Sequence, residues 1–245
     1  MDFETFHPQF CAVLSQNGQE RYANEAISRR FHRLTEHMLE VNKSMNLTAI
    51  RDERDVMVRH FADCLTIDAL LPQGARVLDV GCGAGFPCLP LAICRPDLEL
   101  TALDSTEKRI RYVRETAALL ECQNLTALAA RAEEQGNGPL REQFDACTAR
   151  AVADLPVLAE LCLPFVKVGG VFLAMKGARG DEELERAQGA IRKLGGTPEE
   201  VRRITLRSPF DPSICDTRTL IVTRKQQPTP REFPRAFARI VKKPL

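Results

Sequence analysis

Val77-Leu78-Asp79-Val80-Gly81-Cys82-Gly83-Ala84-Gly85-Phe86-Pro87 is the stretch on which the fold turns. A short apolar run reads as a buried strand, and glycines at every second position let the chain turn tightly into a helix and let a ligand approach bare backbone. In an open parallel sheet such a turn faces the ligand crevice outside the strand ends. A dinucleotide site wants G-x-G-x-x-G, with its third glycine at position 86, where this chain has Phe86. A site without a pyrophosphate, holding a nucleoside with an amino-acid tail, fits better and points to S-adenosylmethionine. Asp79 and the three glycines are therefore candidate cofactor residues. So is Asp104 at the end of the next strand, whose carboxylate can accept from two ribose hydroxyls. Capping the helix that follows is a compatible second role for Asp104.

Outward from this turn the texture is short apolar strands alternating with helical stretches. Strands are expected at 75–80, 98–104, 125–130, 144–149 and 171–175, the last entered by a turn at Gly169-Gly170. Helices are expected at 89–95, 106–121, from an Asp154 cap with Pro156 in the first turn to about 166, and at 181–194. Strands near 201–206 and 219–224 complete a seven-stranded, mostly parallel sheet with helices on both faces, an α/β, Rossmann-like class I methyltransferase architecture. Residues 1–71 read as a helical extension. Ile27, Phe31, Leu34, Met38 and Val41 recur at helical spacing, and Asp52 opens a second helix carrying Val56, His60, Cys64 and Ile67 on one face. His60 is an isolated histidine on that face, near the polar loop at Asn46, and reads as structural. The expected divisions are 1–71, a methyltransferase domain over 72–224, and a basic tail over 225–245.

Composition bounds the function class. The 245 residues are 44% hydrophobic, 27% charged and 6% aromatic, enough for one large core. Net charge is +1, yet residues 224–245 hold seven bases against one acid while the rest holds twenty-seven bases against thirty-two acids. A cationic tail on a slightly acidic body either meets a phosphate backbone or is simply solvated. The nine cysteines show no C-x-x-C and no histidine partners at metal-ligand spacing, so they read as structural thiols and no metal is expected. The amino terminus has no basic n-region or apolar h-region, and no apolar run approaches about 20 residues, so a cytoplasmic chain is expected.

Several motifs in order carry a resemblance: Asn42-Lys43 with Asn46-Leu47-Thr48; Arg59-His60 with Asp63; Asp79 through Pro87; and Leu103-Asp104-Ser105 with Lys108-Arg109. Arg131-Ala132-Glu133, Thr148 through Ala153 (with Ala151), Leu173 through Gly177 and the ending Thr229-Pro230-Arg231 with Pro234-Arg235 continue it. From about residue 42 to its end the chain resembles the RsmG (GidB) family of 16S ribosomal RNA guanine-N7 methyltransferases. Cys64, Cys82 and Cys88 depart from the family's usual small residues without altering the turn. The resemblance implies Gly81 and Phe86 against the cofactor, Ala132-Glu133 by the adenine, and Arg150 beside the methionine end as the catalytic candidate. A salt bridge to Asp154 is the alternative for Arg150. Lys176, Arg218, Arg231 and Arg235 become candidates for RNA, with solvation the alternative. Arg29, Arg30 and Arg33 join them as backbone contacts. The partner is 16S ribosomal RNA or a small ribosomal subunit particle, with no membrane and a monomeric chain. Guanine N7 carries no proton, so this chemistry needs positioning rather than a general base.

Competing readings are a methyltransferase acting on a protein or small molecule and a non-catalytic RNA-binding module. With two tyrosines and no tryptophan, a stacking platform for bases is not evident; Phe31, Phe61, Phe86, Phe210 and Phe233 are the remaining aromatic candidates, with core packing the alternative.

Overall fold

The structure, a computed structural model, describes residues 1–150 and 152–245, so Ala151 of the motif above lies outside the described residues. Its centre is a sheet of β1 (Arg76–Val80), β2 (Glu99–Asp104), β3 (Leu125–Ala129), β4 (Phe144–Arg150), β5 (Val166–Lys176), β6 (Gly196–Arg207) and β7 (Cys215–Lys225). The order is β3-β2-β1-β4-β5-β7-β6, with β1 to β5 parallel and β7 antiparallel to both its neighbours. The chain winds outward from β1 in one direction and returns to the other side of it at β4. The crevice at that reversal therefore brings the residues after Val80 next to Arg150.

Strand alternation divides the apolar side chains between two cores. Val171, Leu173 and Met175 of β5 face one, while Phe172 and Ala174 face the other. The first core is covered by α1 (Phe3–Gln16), α2 (Glu25–Met45), α5 (Cys88–Cys94) and α6 (Glu107–Leu119). The second is covered by α8 (Leu155–Cys162), α9 (Gly180–Lys193) and α10 (Phe237–Lys242). A four-residue turn, α7 (Ala132–Gln135), follows β3.

The amino-terminal helices form where the spacing predicts. Asn24 caps α2 by accepting from the Ile27 amide at 3.0 Å, and Phe31, Leu34 and Met38 are fully buried. Asp52 likewise caps its helix through the amides of Arg54 and Asp55. That helix is not uniform: α3 (Glu53–Val56) widens into a π-helical stretch, Met57–Ala62, before α4 (Asp63–Leu65). Apolar periodicity cannot register one extra residue in a turn, and such widenings gather at functional sites. A run of rings, Phe10 to Phe31 (4.8 Å between centroids), Phe31 to Phe61 (4.7 Å) and Phe61 to Phe86 (6.2 Å), joins α1 to the glycine turn. Each such pair contributes about 0.5–1.5 kcal/mol beyond its buried area, so the extension braces Phe86. Phe31, Phe61, Phe86 and Phe233 are all buried, which gives them to the core.

Three local expectations are corrected. Gly169 and Gly170 do not turn the chain into a new strand; β5 runs through them from Val166. A Cβ on Gly170 would lie 2.7 Å from the Asp145 carbonyl oxygen, so glycine there permits a close strand approach where the pairing register shifts. Asp154 does not cap α8: its carboxylate pairs with Arg186 at 2.8 Å, and Glu183 takes the Leu155 amide at 2.9 Å. The basic ending is not a free tail. Lys225 is fully buried and donates to the Leu163 carbonyl and the Thr229 hydroxyl, both at 2.6 Å, while Phe233 and Ile240 enter the second core. Among the described residues, no helix is long and apolar enough to cross a membrane.

Candidate active site

The reversal between β1 and β4 opens a cavity of about 450 Å³. Its floor is the glycine turn. The amides of Gly81 and Cys82 both donate to the Leu103 carbonyl, at 2.7 and 3.1 Å, which pins the turn to the end of β2. Gly81 has φ +70°, and a Cβ there would sit 2.6 Å from a Val152 methyl. A Cβ on Gly83 would meet nothing closer than the Gly81 carbonyl oxygen at 3.9 Å, and Gly83 lines the open space. Asp104 comes in from β2. One of its oxygens accepts from the Gly83 amide (3.1 Å) and the other from the Thr106 amide (2.9 Å), which ties the glycine turn to the turn ahead of α6 and leaves lone pairs for a ligand. The expected helix cap is not formed, since Thr106 holds the cap position of α6. Ala132 and Glu133, following β3, line the same space.

Arg150 closes this cavity from β4. It donates to a carboxylate oxygen of Asp63 (3.0 Å), to the Arg59 carbonyl (3.3 Å) and to Nδ1 of His60 (3.2 Å), and its guanidinium lies 5.3 Å from the Phe86 ring centre. The carboxylate alternative for Arg150 is thus realised by Asp63 rather than Asp154. Arginine has no acceptor, so Nδ1 of His60 must accept and Nε2 carries the proton, donating to the Thr48 hydroxyl at 2.9 Å. Burial, and then the Arg150 charge, push the His60 pKa down to about 3, so the ring is neutral. His60 also stacks on Phe86, 4.5 Å between centroids at 11°.

A second cavity of about 380 Å³ adjoins the first and shares His60 and Arg150 with it. Asp63, buried at 4% exposure, links the shared wall to β7 by accepting from Nε of Arg218 at 3.1 Å.

Several expected site residues stand elsewhere. Asp79 is absent from the cavity lining: its oxygens accept from the Thr148 hydroxyl (3.1 Å) and the Cys88 amide (3.3 Å), and burial pushes its pKa up to about 6. Gly85 does not line the cavity either. A Cβ there would run into Leu89 at 2.3 Å, so this glycine lets α5 pack on the turn. Lys176 is buried and held by Glu183 and the Ala153 carbonyl, at 2.6 and 2.7 Å, in the wall of the second cavity. Arg235 is held by the fully buried Glu160 at 2.6 Å. Arg30 donates to the Leu120 and Ile93 carbonyls. Arg231 is exposed. His60 and Asp63, which hold Arg150 in the wall of the second cavity, are residues to which apolar spacing alone assigns no place in the site. Their signal was two polar residues, three apart, inside an otherwise apolar helix face.

A family model described as GidB, rRNA small subunit methyltransferase G, matches residues 27–209. Proteins named Ribosomal RNA small subunit methyltransferase G are similar along most of their length. The one from Deinococcus radiodurans is 48% identical over 209 residues, covering 84% of this chain and 81% of that protein. The one from Pelotomaculum thermopropionicum is 46% identical, covering 89% and 90%. The one from Oceanobacillus iheyensis is 41% identical, covering 97% and 98%. Among solved structures, TYW2 of M. jannaschii in complex with AdoMet matches with TM-score 0.53 at 15% identity, covering 66% of this chain and 74% of that one. The YcgJ protein of Bacillus subtilis matches with TM-score 0.52 at 16% identity, covering 69% and 100%. At these identities the solved structures speak for the fold alone.

Proposed function

Because the chain belongs to the GidB family of rRNA small subunit methyltransferases G, we propose that it moves a methyl group from S-adenosylmethionine to N7 of a guanine in 16S ribosomal RNA. It is an S-adenosylmethionine-dependent methyltransferase, and ribosomal RNA is its substrate. The observation that carries the guanine-N7 reading is the pair of adjoining cavities joined at Arg150 and His60, in which the histidine is held neutral with its Nδ1 occupied.

The residues present fit the cofactor. The space over Gly83 is one a Cβ would enter, and a carboxylate stands at the end of β2 with unused lone pairs. S-adenosylmethionine, when bound, supplies a methyl group on sulfonium sulfur, open to attack by a lone pair. Gly81, Gly83 and Phe86 would hold the nucleoside against bare backbone, Asp104 would accept from the ribose hydroxyls, and Ala132 and Glu133 would border the adenine. Arg150 would fork onto the methionine carboxylate with the N–H groups that Asp63, Arg59 and His60 leave free. An N7 lone pair needs no deprotonation, so the protein's contribution is to fix the acceptor in line and to place fixed charge near it. Exposed Arg231, with Arg33, Arg239, Lys242 and Lys243, would meet phosphates.

The test is incubation with methyl-labelled S-adenosylmethionine and small-subunit RNA, deproteinised or as particles, from a strain lacking the enzyme, followed by nucleoside analysis. Label is expected in 7-methylguanosine. No label in any RNA preparation, with cofactor binding intact by calorimetry, would move the acceptor to a protein or small molecule.

A further inference from the structure

We propose that the second cavity is the acceptor-base pocket and that Glu183 and Arg218 within it are what select guanine. The inference rests on the guanine-N7 reading above and goes on to assign the recognition. The cavity lies outside the carboxyl ends of β4 and β5 and, among the described residues, shares His60 and Arg150 with the cofactor cavity, so a base placed in it lies beside the site of the methyl group.

Its walls match a planar, polar-edged ring. Ile50 and Met175 supply apolar surface for the ring faces. Arg218 is fixed by Asp63 through Nε at 3.1 Å and by the Thr217 carbonyl through Nη1, which leaves Nη2 without a hydrogen bond among the described residues and in a 3.7 Å ion pair with Asp216. Glu183 is fixed through a single oxygen, Oε2, which accepts from the Leu155 amide and from Lys176 at 2.9 and 2.6 Å. Its other oxygen, Oε1, has no donor among the described residues. The site thus offers a cationic N–H donor and a carboxylate acceptor, each held in place by buried partners and each with unused capacity.

Guanine is the base whose edges answer this pair. Beside N7 it carries the O6 acceptor, which an arginine N–H satisfies, and on its other edge N1–H and the 2-amino group donate to a carboxylate. Adenine would set its 6-amino donor against the arginine and a bare N1 lone pair against Glu183. Leaving such buried groups unpaired discriminates by about ten- to a hundredfold. Lys176, buried against Glu183, then serves as a positioning residue that orients the carboxylate.

The experiment compares wild type and Glu183→Gln on small-subunit RNA transcribed with guanosine or with inosine, which lacks the 2-amino group. Label transfer and cofactor affinity are both measured. Wild type should prefer guanosine RNA by about ten- to a hundredfold in kcat/KM, and Glu183→Gln should lose most of that preference with its affinity for S-adenosylhomocysteine unchanged. The ratio between the two proteins cancels any effect of inosine on RNA folding. An undiminished preference in a folded Glu183→Gln would overturn the assignment. If that variant does not fold, Ile50→Trp decides. By filling the pocket it should abolish RNA methylation while cofactor affinity persists, and full methylation by a folded Ile50→Trp would also overturn the assignment. Failure of wild type to make 7-methylguanosine at all would instead count against the proposed function.

Discussion

Asp79 and Asp104 stand near the carboxyl ends of adjacent strands, in similar apolar settings, and do different work. Asp104 closes β2 and reaches the cavity, where it holds the Gly83 amide. Asp79 precedes the last residue of β1, and the period of two turns it toward the face of α5, where it takes the Cys88 amide and ties β1 to Thr148 of β4. The motif was legible as a glycine turn with acids around it. Strand alternation does not tell which acid faces the ligand, because Asp79 is in phase with Val77 and Asp104 with Leu100 and Ala102, all on the α5-side face. Register decides it, since Val80, the last residue of β1, pairs with Leu103 and Asp104 stands one step beyond. Asp104→Ala should therefore weaken cofactor binding by about ten- to a hundredfold in calorimetry, since it removes acceptors of charge-assisted hydrogen bonds. Asp79→Ala should leave affinity in the folded protein unchanged and lower unfolding free energy by about 1–3 kcal/mol, because two buried donors lose their acceptor. Reversal of these two phenotypes would exchange the roles.

At the level of elements, the seven-stranded, mostly parallel sheet and the helical amino-terminal extension followed from patterns that local physics imposes, while the strand order did not. Alternation of strand and helix, the cap at Asp52, and the stripe of Phe31, Leu34 and Met38 all survive in the structure. What stayed hidden is long-range pairing. Arg235 lies 75 residues from Glu160, and nothing in either local sequence marks the two as partners. Read by charge alone, Arg235 belongs to a cationic tail; in the structure its backbone amide and guanidinium both donate to a carboxylate with no exposure. A buried carboxylate stripped of its partner is costly, which sets the scale for Arg235→Ala at a loss of about 3–5 kcal/mol in denaturant unfolding. The slope of RNA affinity against log salt should not change in that variant at temperatures where it is folded, since this cation is not free to release counterions. A flattened slope with unaltered stability would return Arg235 to the RNA surface.

Across the whole molecule the two termini brace opposite faces of the sheet. The amino-terminal helices reach the glycine turn through rings ending at Phe86, and the carboxyl-terminal segment locks onto α8 and β7 through buried Lys225. Lys225 makes that second lock sensitive to pH. Burial pushes its pKa down from 10.5 to about 8, against the opposing pull of Glu142 at 3.3 Å. Between those values the unfolded chain holds a proton that the folded protein has released, so unfolding takes up a proton and stability rises with pH across the window. The burial penalty on the charged form is present in full below about pH 8 and disappears as pH approaches 10.5. The slope is at most about 1.4 kcal/mol per pH unit, and the whole effect is of the order of 3 kcal/mol. Other lysines, tyrosines and thiols titrate nearby, which is why the measurement is a difference. Urea unfolding of wild type and Lys225→Met at about pH 7.5 and about pH 9.5 should show wild type gaining stability relative to the variant, whose side chain has no proton to lose. Two curves that move in parallel would mean that Lys225 keeps its charge in the folded protein, with Glu142 outweighing burial.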